Sequence, residues 1–307
     1  MVPAVQGSTM GSVVLVIIHN HPHYANIATL DRLYGGRFRH IRHLAPFFTG
    51  SAPHVVPVYE NSRFFQGYVS QAVSRIVDDA FDHYLFVADD LLLRPDISED
   101  TYRERLRLDP EACFLPGFVE LHRLTEYWPR ATEAARWNPD VPGAQIVGVL
   151  PDASTAAARF ARFGLTVEPL TYFQVMNRQP ATDAERRVRY ALRYPLVGGY
   201  SDIFVVSREC IRPFAHLCGL FAVGRLFVEL AIPTALALVA DAIVTEQSLP
   251  YQGRALWTVE DRTILDRYGG SLRRLLDEFP DQHLYLHPIK LSHWDTAPWG
   301  PASSSPR

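Results

Sequence analysis

The stretch Tyr84-Leu85-Phe86-Val87-Ala88-Asp89-Asp90 decides the fold. Its apolar run is one strand long and has the character of a strand covered on both faces, as in a parallel sheet. It ends directly in two carboxylates. Upstream, Val13–Ile18 is a second such run and ends in His19-Asn20-His21. Ala25, Ala28, Leu30, Leu33 and Tyr34 then recur near helical spacing until Gly35-Gly36. His40–Phe47 and His54–Tyr59 read as short strands, the second running into Tyr59-Glu60-Asn61. Gln66–Phe81 carries Val69, Ala72, Val73, Ile76, Val77 and Ala80 on one helical face. This alternation predicts an α/β domain with a mostly parallel sheet flanked by helices. Such sheets bind ligands beyond the carboxyl ends of their strands, where all three polar clusters fall.

Downstream, residues 113–193 are less regular, with Trp128, Trp137, several prolines and a helix candidate over Thr155–Phe163. They read as loops and short elements laid over the sheet. Ile203–Val206 is a further strand, Ile211–Ala222 and Leu226–Ala240 are helical, Arg262–Phe279 is expected as one helix, and Leu284–Leu286 as a last strand. The expected organisation is one large domain over 12–296. It divides into residues 12–112 and 113–296. Residues 1–11 are expected to be tag-like and disordered, with Met10 a candidate start, and the Pro/Ser-rich 297–307 a disordered tail.

Composition narrows the function classes. The chain has 307 residues, 48% of them hydrophobic, with 30 basic and 33 acidic side chains for a net charge of −3. That balance argues against nucleic acid or an anionic membrane surface as a partner. Three cysteines, Cys113, Cys210 and Cys218, are too few for a disulfide scaffold and imply a reducing compartment. The longest apolar segment, Leu226–Ile243, is interrupted by Glu229, Pro233 and Asp241, so no membrane span is expected. No signal peptide is read, and the expected location is cytoplasmic. No GxSxG elbow and no Gly-rich phosphate loop is present. His19-Asn20-His21-Pro22-His23 has no acidic or cysteine neighbour in sequence and reads as a ligand-contacting loop rather than a zinc site.

Asp89-Asp90 offers hard oxygen ligands at a sheet rim, the chemistry that Mn²⁺ or Mg²⁺ takes beside substrate phosphates. The segment Tyr84–Leu93 resembles the strand and DxD region of nucleotide-sugar glycosyltransferases with the GT-A fold. The resemblance extends over roughly Val13 to His293 as an order of motifs. It departs from the pattern at Ala88, where the first Asp is expected.

The resemblance implies a GT-A-like fold, a divalent cation, a nucleotide-diphosphate sugar donor and a glycan or small-molecule hydroxyl acceptor, with residues 12–112 as the nucleotide-sugar-binding part and 113–296 as the acceptor part. Asp90 matches the acidic residue that ligates the metal, and Asp89 the one that meets the donor. The His19-Asn20-His21 end is similar to the nucleotide-binding start, and Tyr59, Glu60 and Asn61 join it as donor contacts. Gly198–Val206 looks like the segment behind the acceptor. Glu229, a lone acid in an apolar segment, matches the general base of inverting members, with Asp202 as the alternative. Burial would raise its pKa into a useful range. His287-Pro288-Ile289-Lys290 is similar to the late histidine region. His287 would complete the metal site, with His293 as rival, and Lys290 would neutralise the diphosphate. Trp128, Trp137, Trp257 and Trp294 offer flat faces for a sugar. Rival readings are a nucleotidyltransferase, disfavoured because His19–Ala25 lacks Gly, Lys and Arg, and a nucleotide-sugar-binding protein without turnover.

Overall fold

The computed structural model describes residues 12–296, so the expectations for both termini lie outside the described residues. The strands are β1 (Val13–Ile18), β2 (Ile41–Pro46), β3 (Val55–Val58), β4 (His83–Ala88), β5 (Leu92–Leu93), β6 (Cys113–Phe114), β7 (Leu170–Thr171), β8 (Arg189–Tyr190), β9 (Ile203–Ser207), β10 (Ile243–Val244), β11 (Gln252–Ala255) and β12 (His283–His287). The longer helices are α1 (Ala25–Gly35), α2 (Gln66–Ile76), α3 (Pro129–Arg136), α4 (Ala153–Ala161), α5 (Arg208–Val223) and α6 (Val228–Val239).

Seven strands form one sheet in the order β10-β6-β9-β4-β1-β2-β3. Both halves of the chain contribute to it, which makes a single domain. The sheet is mostly parallel, as expected, but mixed. β9 runs antiparallel to both β4 and β6, and the other neighbours are parallel. An apolar run such as Ile203-Phe204-Val205-Val206 carries no mark of its direction, so strand polarity was not readable. Phe86 pairs with Phe204 across the antiparallel junction, with the rings stacked 4.6 Å apart.

Side chains alternate across a strand, so β1 divides its residues between two cores. Val14, Val16 and Ile18 pack in the cluster that contains residues of α2, α5 and α6. Val13, Leu15 and Ile17 pack with α1 and with β5 and β12 of the small second sheet β11-β12-β5. This two-sided cover is why the strand is apolar at every position.

Two expected helices end early. α2 stops at Ile76 instead of Phe81, because the Asp78 side chain accepts the Ala80 amide and the backbone of Asp78 bonds the Tyr84 hydroxyl. The helix expected over Arg262–Phe279 is interrupted. Gly269 and Gly270 take φ of +58° and +74°, conformations open to glycine, and a new short helix starts at Leu272 under a Ser271 cap. Among the described residues no helix is long and apolar enough to cross a membrane.

Candidate functional site

β1 sits between β2 and β4, so the chain leaves it first to one side and then to the other. Such a reversal opens a crevice at the carboxyl ends of the strands. Asn20, after β1, and Asp90, after β4, both line it. The cleft has two adjoining chambers of about 480 and 710 Å³ that share Asn20, His21, Asp90 and Lys290. The first holds Asp202, Glu229, Trp257 and His287. The second is walled by the His21–Asn26 loop and Asp89.

Asp90 and His287 meet in this cleft, with Oδ1 and Nε2 3.0 Å apart. The Asp90 carbonyl also accepts the Ile289 amide at 2.6 Å, which ties the end of β4 to the segment after β12. On its other side the His287 Nδ1 lies 2.5 Å from the Tyr200 hydroxyl. Burial alone would lower the His287 pKa. The hydrogen bond to Asp90 and the charges of Asp202, Asp90 and Asp89 outweigh it, and the ring titrates above its usual range. Burial raises the Asp202 carboxyl; His287 opposes the shift and Asp90 adds to it.

Glu229 stands in the first turn of α6. Pro233 in the same helix has no N–H to offer the Glu229 carbonyl. That carbonyl instead accepts the Gly199 amide at 2.9 Å, which docks the glycine segment onto the helix. A Cβ on Gly199 would lie 2.5 Å from the Gly117 carbonyl oxygen, so this close approach requires glycine. Burial pushes the Glu229 carboxyl up; Arg130, whose Nε lies 3.2 Å from Oε2, opposes it, and Asp202 adds to it.

The remaining candidates divide into those in the cleft and those behind it. Asn20, His21 and Lys290 line both chambers. Asp89 is only 6% exposed; its Oδ1 accepts the Asn20 amide and its Oδ2 faces the His19 ring at 3.5 Å. Burial works against its charge, yet the nearby His19 ring and the bonds from Asn20 and Asn26 bring its pKa below the usual value. His19 is fully buried behind Asp89, against His43, so it makes no direct contact with the cleft. Tyr59, Glu60 and Asn61 sit at the end of β3, outside the cleft lining. Glu60 is paired with Arg225 and Asn61 caps the turn at Ser62. His293 is the exposed end of a short turn and does not line the cleft.

Of the tryptophans, Trp257 lines the cleft and is 57% exposed, its ring edge-on to His287 at 5.1 Å. Trp137 is core, and Trp128 packs against Gly198. Sequence reasoning assigned no role to Tyr200, to Arg130, or to Arg262, which also lines the first chamber. Tyr200 was visible only as part of the Gly198–Val206 segment, and nothing local marks the two arginines.

No protein-family model matches the sequence, and no curated protein is significantly similar to it.

Proposed function

We propose that this protein is a metal-dependent glycosyltransferase with a GT-A-like domain. It would move a sugar from a nucleotide-diphosphate donor to a hydroxyl of a glycan or small molecule. The observation that carries the reading is the meeting of Asp90, His287, Asp202 and Glu229 in one cleft at the strand reversal.

The cleft suits a divalent cation. Asp90 is partly exposed, and the His287 Nε2 faces it. When the Nδ1–H donates to the Tyr200 oxygen, Nε2 presents a lone pair toward the carboxylate, an oxygen–nitrogen set that Mn²⁺ accepts. A bound Mn²⁺ or Mg²⁺ would supply Lewis-acid stabilisation of the departing diphosphate.

The chain's own groups account for the rest. Lys290, exposed between the chambers, neutralises phosphate charge. The N-terminus of α1, with no acid in its first turn, faces the second chamber and favours an anion there. Trp257 offers a flat face to a sugar ring beside His287. Glu229 takes the proton of the acceptor hydroxyl as its oxygen bonds to the anomeric carbon and the bond to diphosphate breaks. Its raised pKa suits that task. Arg130 holds its Oε2 and so fixes the carboxylate's orientation.

A thermal-shift screen of UDP-, GDP-, CMP- and dTDP-sugars, with Mn²⁺ or Mg²⁺, tests the reading. Saturation at 100 times Kd stabilises the folded state by about 2.7 kcal/mol. A cation-dependent rise in Tm with one nucleotide class is expected. No rise with any of them contradicts the proposal.

A further inference from the structure

Behind the cleft, α1, β2 and the turn before β3 bring three further ligand-type side chains together. Asp31 Oδ1 lies 3.0 Å from His43 Nε2, and Asp31 Oδ2 lies 3.0 Å from His54 Nε2. One ligand atom from each residue lies within 4.8 Å of the others. Tetrahedral ligands on a single zinc ion at ~2.0–2.2 Å stand roughly 3.3–3.6 Å apart. His54 and Asp31, each about a third exposed, have the freedom to close that gap.

The hydrogen-bond chain leading inward gives a second, independent indication. His43 Nδ1 lies 2.9 Å from His19 Nε2, and His19 Nδ1 lies 3.5 Å from Asp89 Oδ2. Both rings are fully buried. Three contacts, Asp31 to His43, His43 to His19 and His19 to Asp89, each call for one proton. Two neutral imidazoles carry only two. Without a cation, either one enclosed ring is an imidazolium or one nitrogen turns a bare lone pair on a carboxylate. His19 Nδ1 has no hydrogen-bond partner of good geometry. A metal ion on His43 Nε2 removes the conflict. His43 Nδ1–H then donates to His19 Nε2, His19 Nδ1–H points to Asp89, and both rings stay neutral. Ring nitrogens of metal-bound histidines are commonly tied down in this way.

We propose that Asp31, His43 and His54 form a second metal site that takes Zn²⁺ or another late first-row divalent cation. Two imidazoles and one carboxylate select such ions over Mg²⁺. The partial exposure of Asp31 and His54 leaves an entry path and an open position for water. The site braces the β1–β2–β3 edge, and its outer hydrogen bonds end at Asp89, next to Asp90.

The test is a titration of the metal-free full chain with Zn²⁺ against a chromophoric chelator, alongside Co²⁺ absorption spectra. The variants are Asp31→Asn, His54→Ala, His19→Gln and Asp90→Asn, each checked for folding by circular dichroism. His54→Ala alters a partly exposed ring, so it keeps the test informative should Asp31→Asn fail to fold. The wild type should bind a Zn²⁺ ion that Asp90→Asn retains, and give the intense visible Co²⁺ bands of a low-coordinate site. His54→Ala and Asp31→Asn should lose this, and His19→Gln should weaken it by ~10–100-fold. Asp90→Asn should bind Zn²⁺ as the wild type does. The proposal is overturned if the wild type binds no Zn²⁺ or if His54→Ala binds it equally well. Loss of binding in Asp90→Asn alone overturns it too, because that ion would then sit in the cleft.

Discussion

The Asp90 carboxylate and the His287 ring, 197 residues apart in sequence, meet at 3.0 Å at the rim of the sheet. Asp90 follows the buried strand β4, and His287 is the last residue of β12 in the smaller sheet. The contact therefore joins the central strands to the second sheet across the mouth of the cleft. Tyr200 holds the far side of the ring, so its orientation is set from both nitrogens.

This contact makes stability depend on pH with a definite sign. The His287 pKa is raised above its ordinary 6.5, so the folded chain holds that proton more tightly than the unfolded chain. Its stabilisation is present in full below 6.5 and is lost as pH rises through the folded-state pKa. In metal-free protein, the Tm advantage of wild type over His287→Gln should shrink as pH is raised across that window. A pH-independent difference would show that the ring does not titrate as described.

Glu229→Gln keeps the shape of the side chain and removes its basicity. Turnover should fall by ~10²–10⁴ while donor affinity stays near wild type. The acidic limb of the wild-type rate profile should lie above the ordinary glutamate value of 4.5, because burial raises the carboxyl. Near-normal turnover in the Gln variant would remove Glu229 as the base and turn attention to Asp202.

Gly199→Ala should destabilise the fold by about 1–3 kcal/mol, since the new Cβ would press on the Gly117 backbone carbonyl. Gly35→Ala, in α1 with open space around it, should be neutral or slightly stabilising. Urea denaturation of both variants measures the contrast, and equal effects would show that Gly199 is not held in close approach.

Local signals carried most of the architecture. Val13–Ile18 and the Tyr84–Ala88 run are apolar at every position because helices or a second sheet cover both faces, and that composition is visible without a fold. The Gly269-Gly270 pair was equally visible, but the apolar spacing on either side of it matched one continuous helix. The ends of β1 and β4 and the acidic pair were legible because they follow directly from those strands. What pairs across the chain was not. Asp31, His43 and His54 converge only because α1 packs beside the paired strands β2 and β3, so the histidine-rich start looked as if it lacked an acidic partner. The same holds for Tyr200, whose role depends on where β12 lies. His19 looked like a loop residue, yet the parallel pairing of β1 and β2 draws its ring inside against His43.

The most direct measurement is isothermal calorimetry of the nucleotide-diphosphate sugar that scores in the thermal screen. It would be run with and without Mn²⁺, on wild type and on Asp90→Asn. Donor binding to the wild type should require the cation, and the Asn variant should lose that dependence together with the affinity while keeping its fold by circular dichroism. Donor affinity in Mn²⁺ that is unchanged by Asp90→Asn would contradict the assignment of this cleft as a metal-dependent donor site.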